Sequence, residues 1–372
     1  MTTRVLIIGG YGNFGSYIAR SLAGDDKIDL VIGGRSLSKA RAFADELKAH
    51  NRADAACLDI NGDLDTCLKS IKPDVVIHTT GPFQSQDYRV AQACIRIRCH
   101  YIDLADARQF VCGIVRLNAQ AMAQEVLVVS GASSVPCLTV AVVDAYLPTF
   151  SRLQSLDYGI SAAQQTNRGL ATTSAVLSYV GMPIAMLRHG KFRDVIGWQD
   201  LHCMRYPELG WRMFGNCEIP DLDLFPRRYP NLTDMRFSAG HELKVLHLAT
   251  WALSWLVRWG LVKSLSRYSS ALLKVAFLFD FMGSAKSGFH MILKGQGHDG
   301  NSIERRFYIV AKSGHGPYIP CIPAILLTKK LARAEISERG AKPCLDLIGL
   351  KEYVSALRGL DIKVIADEGT DG

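Results

Sequence analysis

A short aliphatic run, RVLII (residues 4–8), leads straight into the glycine series of GGYGNFGSYIARSLA (9–23). Few features constrain a fold more. The run fits a strand buried on both faces in a parallel sheet. The glycines that follow have the spacing Gly10-x-Gly12-x-x-Gly15, and a helix-forming segment from Phe14 to Ala23 comes next. Strand, glycine turn and helix in that order form the dinucleotide-binding signature. Gly10 is read as the sharp turn out of the strand. Gly12 is read as the place where backbone meets a pyrophosphate, and Gly15 as the point where helix packs on sheet. The helix would aim its positive N-terminus at phosphate. A bare glycine turn with no ligand is the competing reading.

The second strand, 28–32, ends in Gly33-Gly34-Arg35-Ser36. A fold that binds NAD usually places an acidic side chain there to hold the ribose 2′-hydroxyl. An arginine in its place can fork onto a 2′-phosphate and stack on adenine. Lys39 and Arg41 follow on the next helix. NADP(H) is therefore read over NAD(H). The alternative makes Arg35 a solvated loop charge and Ser36 a helix N-cap. Residues 55–60 read as a third strand. Asp59 at its end could bond an adenine amino group or close a turn. Residues 74–79 read as a fourth strand followed by Thr80-Gly81-Pro82, small residues that suit close approach of ribose and nicotinamide. His78 is a candidate acid–base group or a core histidine. A helix over 88–97, a strand over 99–104 and a strand over 127–130 continue the alternation. The expected fold class is α/β: a Rossmann-type doubly wound parallel sheet plus an α+β second domain with a mixed sheet. The boundary is placed at 1–135 and 136–372, with a helix near 318–335 returning to the first domain.

Composition excludes several classes. An apolar share of 48% and a charged share of 21% exclude a disordered or collagen-like chain. The N-terminal apolar run is too short for a signal-peptide core, and no stretch reads as a transmembrane helix. Ten cysteines without a CxxC pair read as reduced thiols in a cytoplasmic protein, and no metal site is expected. The formal charge of +8 favours anionic partners. No nucleic-acid-binding motif occurs, so nucleic acid is not expected as a partner.

The segments GGYGNFGSYIARSLA, GGRS, TTGPF, HYIDLAD and GASSVPCLTV resemble the saccharopine dehydrogenase NADP-binding family, as do GHGPYIPCIPAILL and GAKPCLDLIGLKEY further on. The resemblance is strong over about residues 4–140. It implies an NADPH- or NAD-linked oxidoreductase, similar to enzymes that reduce imines formed from an amine and a carbonyl. It also implies roles for particular residues. Gly10, Gly12, Asn13, Phe14 and Gly15 would form the phosphate loop, and Arg35 and Ser36 the 2′-phosphate site. Thr80, Gly81 and Pro82 would lie beside the nicotinamide, and Tyr101 and Asp103 at the edge of the substrate cleft. No arginines match those by which amino-acid-using members hold a substrate carboxylate. There is no Tyr-x-x-x-Lys pair of the short-chain reductase kind, so Tyr101, Asp103 and His78 are the candidate proton donors or orienters, with core packing the competing reading for each. Three functions are weighed: a reductase of a carbonyl, imine or enoyl group on a small or lipophilic substrate, a non-catalytic NADP(H)-sensing module, and a membrane-peripheral lipid-handling protein. The chain is expected to be a homo-oligomer, with a homodimer the first choice.

The second half is less regular. A strand over 156–162 and a helix over 171–187 closed by Gly190 are expected. Residues 190–240 could form strands or a flap over the cleft. Residues 245–257 (VLHLATWALSWLV) carry no charge, and His247, Thr250, Ser254 and Arg258 recur every three or four residues, a narrow polar stripe on a helix with a wide apolar face. From 243 to 279 the charges are Lys244, Arg258, Lys263, Arg267 and Lys274 alone. The segment 245–282 could be a buried helix pair, an oligomer interface, the wall of a lipophilic pocket or a membrane-surface element. Strands at 289–294 and 303–311, a helix reaching 331 and a last helix over 350–357 complete the reading. The polar tail, ADEGTDG, is expected to fray.

Overall fold

The structure, a computed structural model, describes residues 2–367; residues 368–372, most of the polar tail, lie outside the described residues. In chain order the first elements are β1 (Thr3–Ile8), α1 (Asn13–Leu22), β2 (Ile28–Gly34), α2 (Leu37–Glu46), β3 (Ala53–Cys57) and α3 (Leu64–Ile71). Then come β4 (Val75–His78), α4 (Arg89–Arg96), β5 (His100–Asp103), α5 (Arg108–Gly113), α6 (Asn118–Ala123) and β6 (Leu127–Ser130). The middle of the chain forms α7 (Thr139–Tyr146), β7 (Arg152–Ala162), α8 (Leu170–Tyr179), β8 (Pro183–Arg188), β9 (Lys191–Ile196), β10 (His202–Tyr206) and β11 (Gly210–Asn216). It continues with α9 (Asp221–Arg228), β12 (Asp234–His241), α10 (Lys244–Arg258), α11 (Ser269–Phe277), β13 (Ser287–Gln296) and β14 (Ser302–Ala311). Last are α12 (Ile322–Ala332), β15 (Gly340–Pro343), α13 (Leu350–Ala356) and β16 (Ile362–Ala366).

These elements make two compact units. The first holds the chain up to Leu138 together with Tyr318–Ile348; the second holds Thr139–Pro317 and the chain from Gly349. In the first unit seven strands form one sheet in the order β15-β6-β5-β4-β1-β2-β3. Every neighbouring pair is parallel. Parallel pairing demands crossovers, and helices supply them, so the central strands β1, β2 and β4 are covered on both faces and are rich in Val, Ile and Leu. All four residues of β4 and of β6 are buried. On one side Leu6, Val76, Tyr101 and Val128 pack with Leu68, Val90 and Cys94 from the helices. The returning segment is held by local contacts. α12 lies against α1, and the Tyr17 and Tyr318 rings stack at 3.9 Å with 5° between their planes. The chain next adds β15 beside β6, a seventh strand where the sequence suggested only a lead-in to the last helix.

The second unit is built on a curled mixed sheet in the order β10-β11-β12-β7-β13-β14-β16. Its one parallel pair is β12 with β7; the other pairs are antiparallel. The β16 strand went unread because its alternating IKVIA pattern adjoins a polar tail. The helix expected over 171–187 is shorter than that. α8 stops at Tyr179, and Gly181 follows in the left-handed region at φ +77°. Pro183 then opens a hairpin of β8 with β9. Its turn residues, His189 (φ +51°) and Gly190 (φ +72°), are both left-handed, the two-residue pattern that matches strand twist. Gly190 thus closes a hairpin rather than a helix. Residues 191–241 resolve into β9 to β12 and α9.

The polar stripe of α10 takes the inner side of the helix. The stripe is the buried face: His247, Ser254 and Val257 are buried, and Thr250 is half-buried.

A Cβ at Gly190 would meet nothing within 4 Å. Gly190→Ala therefore isolates the backbone term: a loss of about 1 kcal/mol in urea or thermal unfolding is expected from the left-handed conformation alone.

Candidate functional site

The carboxyl ends of β1, β2, β4 and β5 converge where the chain order of the first sheet reverses, between β1 and β4. That edge is where an open α/β sheet binds ligands. The turn out of β1 is made by Gly9, at φ +81°, rather than by Gly10 as the spacing suggested. A Cβ on Gly9 would lie 2.7 Å from Thr79 Oγ1 and 2.8 Å from Thr80 Oγ1. The Thr79 hydroxyl uses that space to donate to the Ile8 carbonyl at 2.9 Å, tying the ends of β1 and β4 together. Gly15 is the tightest position in the loop. Its Cβ would stand 2.2 Å from the Gly9 carbonyl oxygen and 2.8 Å from Gly10 Cα. Gly12 is different: it is exposed, its Cβ would meet only the Gly9 carbonyl, at 3.1 Å, and it caps α1 without a side-chain hydrogen bond. The N-terminus of α1 is thus free of any side-chain cap, as an anion site requires. Asn13 and Phe14 occupy its first turn, and the Phe14 carbonyl accepts from Cys321 Sγ at 3.8 Å.

The loop after β2 carries the charge. Arg35 and Lys39 are exposed, and neither takes an ion pair among the described residues. Ser36 is the N-cap of α2: its hydroxyl accepts from the Lys39 backbone N–H at 3.3 Å. The capping reading of Ser36 is realised, and it leaves Arg35 at the turn between strand and helix. One residue escaped the sequence reading. The Tyr11 ring covers Gly34, where a Cβ would lie 2.4 Å from its Cε1, and its hydroxyl accepts from the Ser36 N–H at 3.2 Å. Tyr11 thereby joins the phosphate loop to the Arg35 loop. The aromatic within Gly10-x-Gly12 and the second glycine of Gly33-Gly34 were its signals. Asp59 is exposed and accepts from the Asn61 N–H at 3.0 Å, the turn-closing role. Thr80, Gly81 and Pro82 are half-buried beyond β4, with Gln86 donating to the Thr80 carbonyl at 2.7 Å and to the Pro82 carbonyl at 3.1 Å.

The three candidate acid–base groups stand together but inside the core. His78 Nδ1 lies 3.0 Å from the Tyr101 hydroxyl, and all three side chains are buried. Burial holds His78 near a pKa of about 3, so the ring is neutral at ordinary pH. Burial pushes the Tyr101 phenol well above its usual value. It also raises Asp103 to about 6, against the pull of the donors around it. Asp103 Oδ1 accepts from the Gly131 N–H (2.8 Å), the Ala105 N–H (2.9 Å) and the Ser130 hydroxyl (3.0 Å). It clasps the ends of β5 and β6. The core reading describes His78, and a positioning role describes Asp103. Among the described residues no group of three or more His, Cys, Asp or Glu side chains could hold a metal ion.

Residues 5–135 match the family model of the saccharopine dehydrogenase NADP binding domain. The match is to an NADP-binding domain and covers that part of the chain alone. NADP(H) is the cofactor of that domain, and the residues fit it: an uncapped helix N-terminus for pyrophosphate and an unpaired arginine where an acid would hold a ribose hydroxyl. No curated protein matches the sequence. Among solved structures, the fold is similar to that of apo saccharopine dehydrogenase (L-Glu forming) from Saccharomyces cerevisiae, with a TM-score of 0.69 at 14% identity. That match covers 98% of this chain and 100% of the yeast chain. An amine dehydrogenase from Mycobacterium smegmatis is also similar, with a TM-score of 0.48 at 10% identity over 92% of this chain and 95% of that one. The NADP-binding domain and the dehydrogenase fold support an oxidoreductase.

Two pairs of variants separate binding from folding. Gly12→Ala should fold like the wild type and lose NADPH at least tenfold in a fluorescence titration, whereas Gly15→Ala should lose both, because its Cβ meets backbone. At Asp103, alanine strands three donors and should cost about 3 kcal/mol or more. Asparagine keeps the accepting oxygen and removes the buried charge. Because the Asp103 pKa is raised on folding, the folded state holds the proton longer, and wild-type stability falls as pH rises from about 4 to about 6. The stability difference should therefore move in favour of Asp103→Asn by about 3 kcal/mol across that window in urea melts at several pH values.

Proposed function

We propose that this chain is an NADP(H)-dependent oxidoreductase acting on a carbonyl, imine or enoyl group of a small or lipophilic substrate. The observation that carries the reading is Arg35: a cation, exposed and unpaired, at the end of the second strand of an NADP-binding domain. A bound NADP(H) supplies hydride chemistry. The residues of the chain bind and orient. The α1 N-terminus takes the pyrophosphate, Arg35 with Lys39 takes the 2′-phosphate, and Thr80, Gly81 and Pro82 border the nicotinamide end. Tyr11 and the Ser36 cap hold the Arg35 loop in place.

The burial of His78, Tyr101 and Asp103 bears on the acceptor. A ketone needs a proton at its oxygen as hydride arrives, and a positioned acid contributes about 10² to 10⁴ to that rate. An iminium carries its positive charge already and has no such need. With all three candidate acids enclosed in the core, the imine is the acceptor these residues favour. The same burial favours one rival, a non-catalytic module that binds NADP(H) and reports its redox state.

Titration of the purified chain with NADPH and NADH tests the cofactor reading. Arg35→Asp should weaken NADPH by about ten- to a hundredfold, the worth of a charged hydrogen bond, with NADH little changed. Equal loss of both would overturn the assignment of Arg35. NADPH oxidation with mixtures of amines and carbonyls separates the two functions: turnover supports the reductase, and tight binding without turnover across the panel supports the sensor.

A further inference from the structure

Helix α10 is built inside out. Its polar stripe is consumed by the second unit. Ser254 Oγ accepts from Gln199 Nε2 at 3.0 Å, and Gln199 Oε1 accepts from Arg258 at 2.6 Å. Thr250 Oγ1 lies 3.3 Å from His241 Nε2, and His247 is fully buried beneath the helix. The opposite face is apolar and open. Val245, Leu248, Ala249, Ala252 and Trp259 are all exposed. The exposure continues along the chain. Leu261 and Leu278 are each 71% exposed, Phe281 is 82% exposed, and Tyr268, Val275 and Met282 are about half exposed or more. α10 and α11 share an apolar cluster around Val257 and Leu265, to which Leu253, Val262 and Leu272 pack. That cluster accounts for their inner sides only. A soluble protein rarely leaves so many large apolar side chains uncovered together without a partner for them.

The charges say which partner. Lys244, Arg258, Lys263, Arg267 and Lys274 are all exposed on this segment. The one acid within it, Asp280, is engaged by Arg168 and by Gln164 Nε2, the latter at 2.8 Å. A second copy related by a two-fold axis would set these cations against themselves. An anionic surface neutralises them while its apolar layer covers the side chains between them. Dimensions agree. α10 has 15 residues, about 22 Å of helix, and a charge at each end. Among the described residues no helix is long and apolar enough to cross a membrane. Trp251, Trp255 and Trp259 recur every fourth residue with ring centroids 6.1 and 5.4 Å apart; the first two are half-buried, and exposed Trp259 is the residue type that settles at a lipid–water boundary.

We propose that α10, the 259–268 segment and α11 form a docking surface for an anionic phospholipid bilayer, seated in the plane of the headgroups. The test is flotation of the full chain with phosphatidylcholine vesicles, with and without phosphatidylserine. Wild type should float with the anionic vesicles, and added salt should weaken it. Replacing Lys263, Arg267 and Lys274 together by Gln should lower affinity on the order of a hundredfold. The triple change Trp259→Ser, Leu261→Ser, Phe281→Ser should abolish flotation with NADPH affinity unchanged, since all three side chains lie on the open face. Brominated acyl chains should quench the tryptophan emission of wild type, a reading independent of how any variant folds. Absence of wild-type flotation and quenching overturns the proposal, and so does binding of both variants at wild-type strength. Sedimentation that finds a wild-type dimer converted to monomer by the serine variant, with no vesicle binding, would assign the face to a second copy and overturn it equally.

Discussion

The first unit depends on one close approach, that of the start of α1 to the end of β1. The Gly15 backbone sits so near the Gly9 carbonyl that no side chain fits between them. This fixes the helix axis against the sheet and brings its N-terminus to the sheet's carboxyl edge. The Thr79 hydroxyl then ties β4 to the same turn. The ends of the two central strands and the helix dipole therefore meet at one place, although Thr79 lies 71 residues from Ile8 along the chain. The geometry that an anion site would need is thus a by-product of packing at Gly9 and Gly15.

Asp103 has a comparable role at the end of β5. A carboxylate in a buried place is unfavourable unless donors surround it. Two backbone N–H groups and a hydroxyl do so here, and they belong to the ends of two different strands. The arrangement organises the chain as it leaves β6. Tyr101 and Asp103, candidate donors or orienters by sequence, both lie beneath the surface. The chemistry that makes a residue look reactive, a charge able to take many hydrogen bonds, also makes it a good internal clasp.

Legibility in the sequence followed the range of the interactions. The strand–glycine–helix start, Arg35 and the alternation through β6 were readable because each is set by neighbours within a few residues. The helix expected over 171–187 ends at Tyr179, ahead of left-handed Gly181, and the left-handed pair His189 and Gly190 turns the residues from Pro183 into a hairpin. β15 and β16 were missed because a short edge strand is defined by its partner across the sheet. The stripe on α10 was found, but its sense was not. Periodicity locates two faces of a helix and says nothing about which one the rest of the fold can satisfy. Gln199, 55 residues upstream of Ser254, decided that. Tyr11 was passed over because its partner, Gly34, lies on another strand.

The Arg35 loop has a consequence for how such a chain changes over time. The backbone there is held by the Ser36 cap and by Tyr11, both independent of the Arg35 side chain. The Arg35 side chain is exposed and takes no ion pair among the described residues. Exchange of that side chain leaves the strand, the cap and the helix as they are. On the proposed reading of Arg35, cofactor preference is thereby separated from stability: descendants of one ancestor can drift between phosphorylated and unphosphorylated dinucleotides by single substitutions, without passing through a poorly folded intermediate.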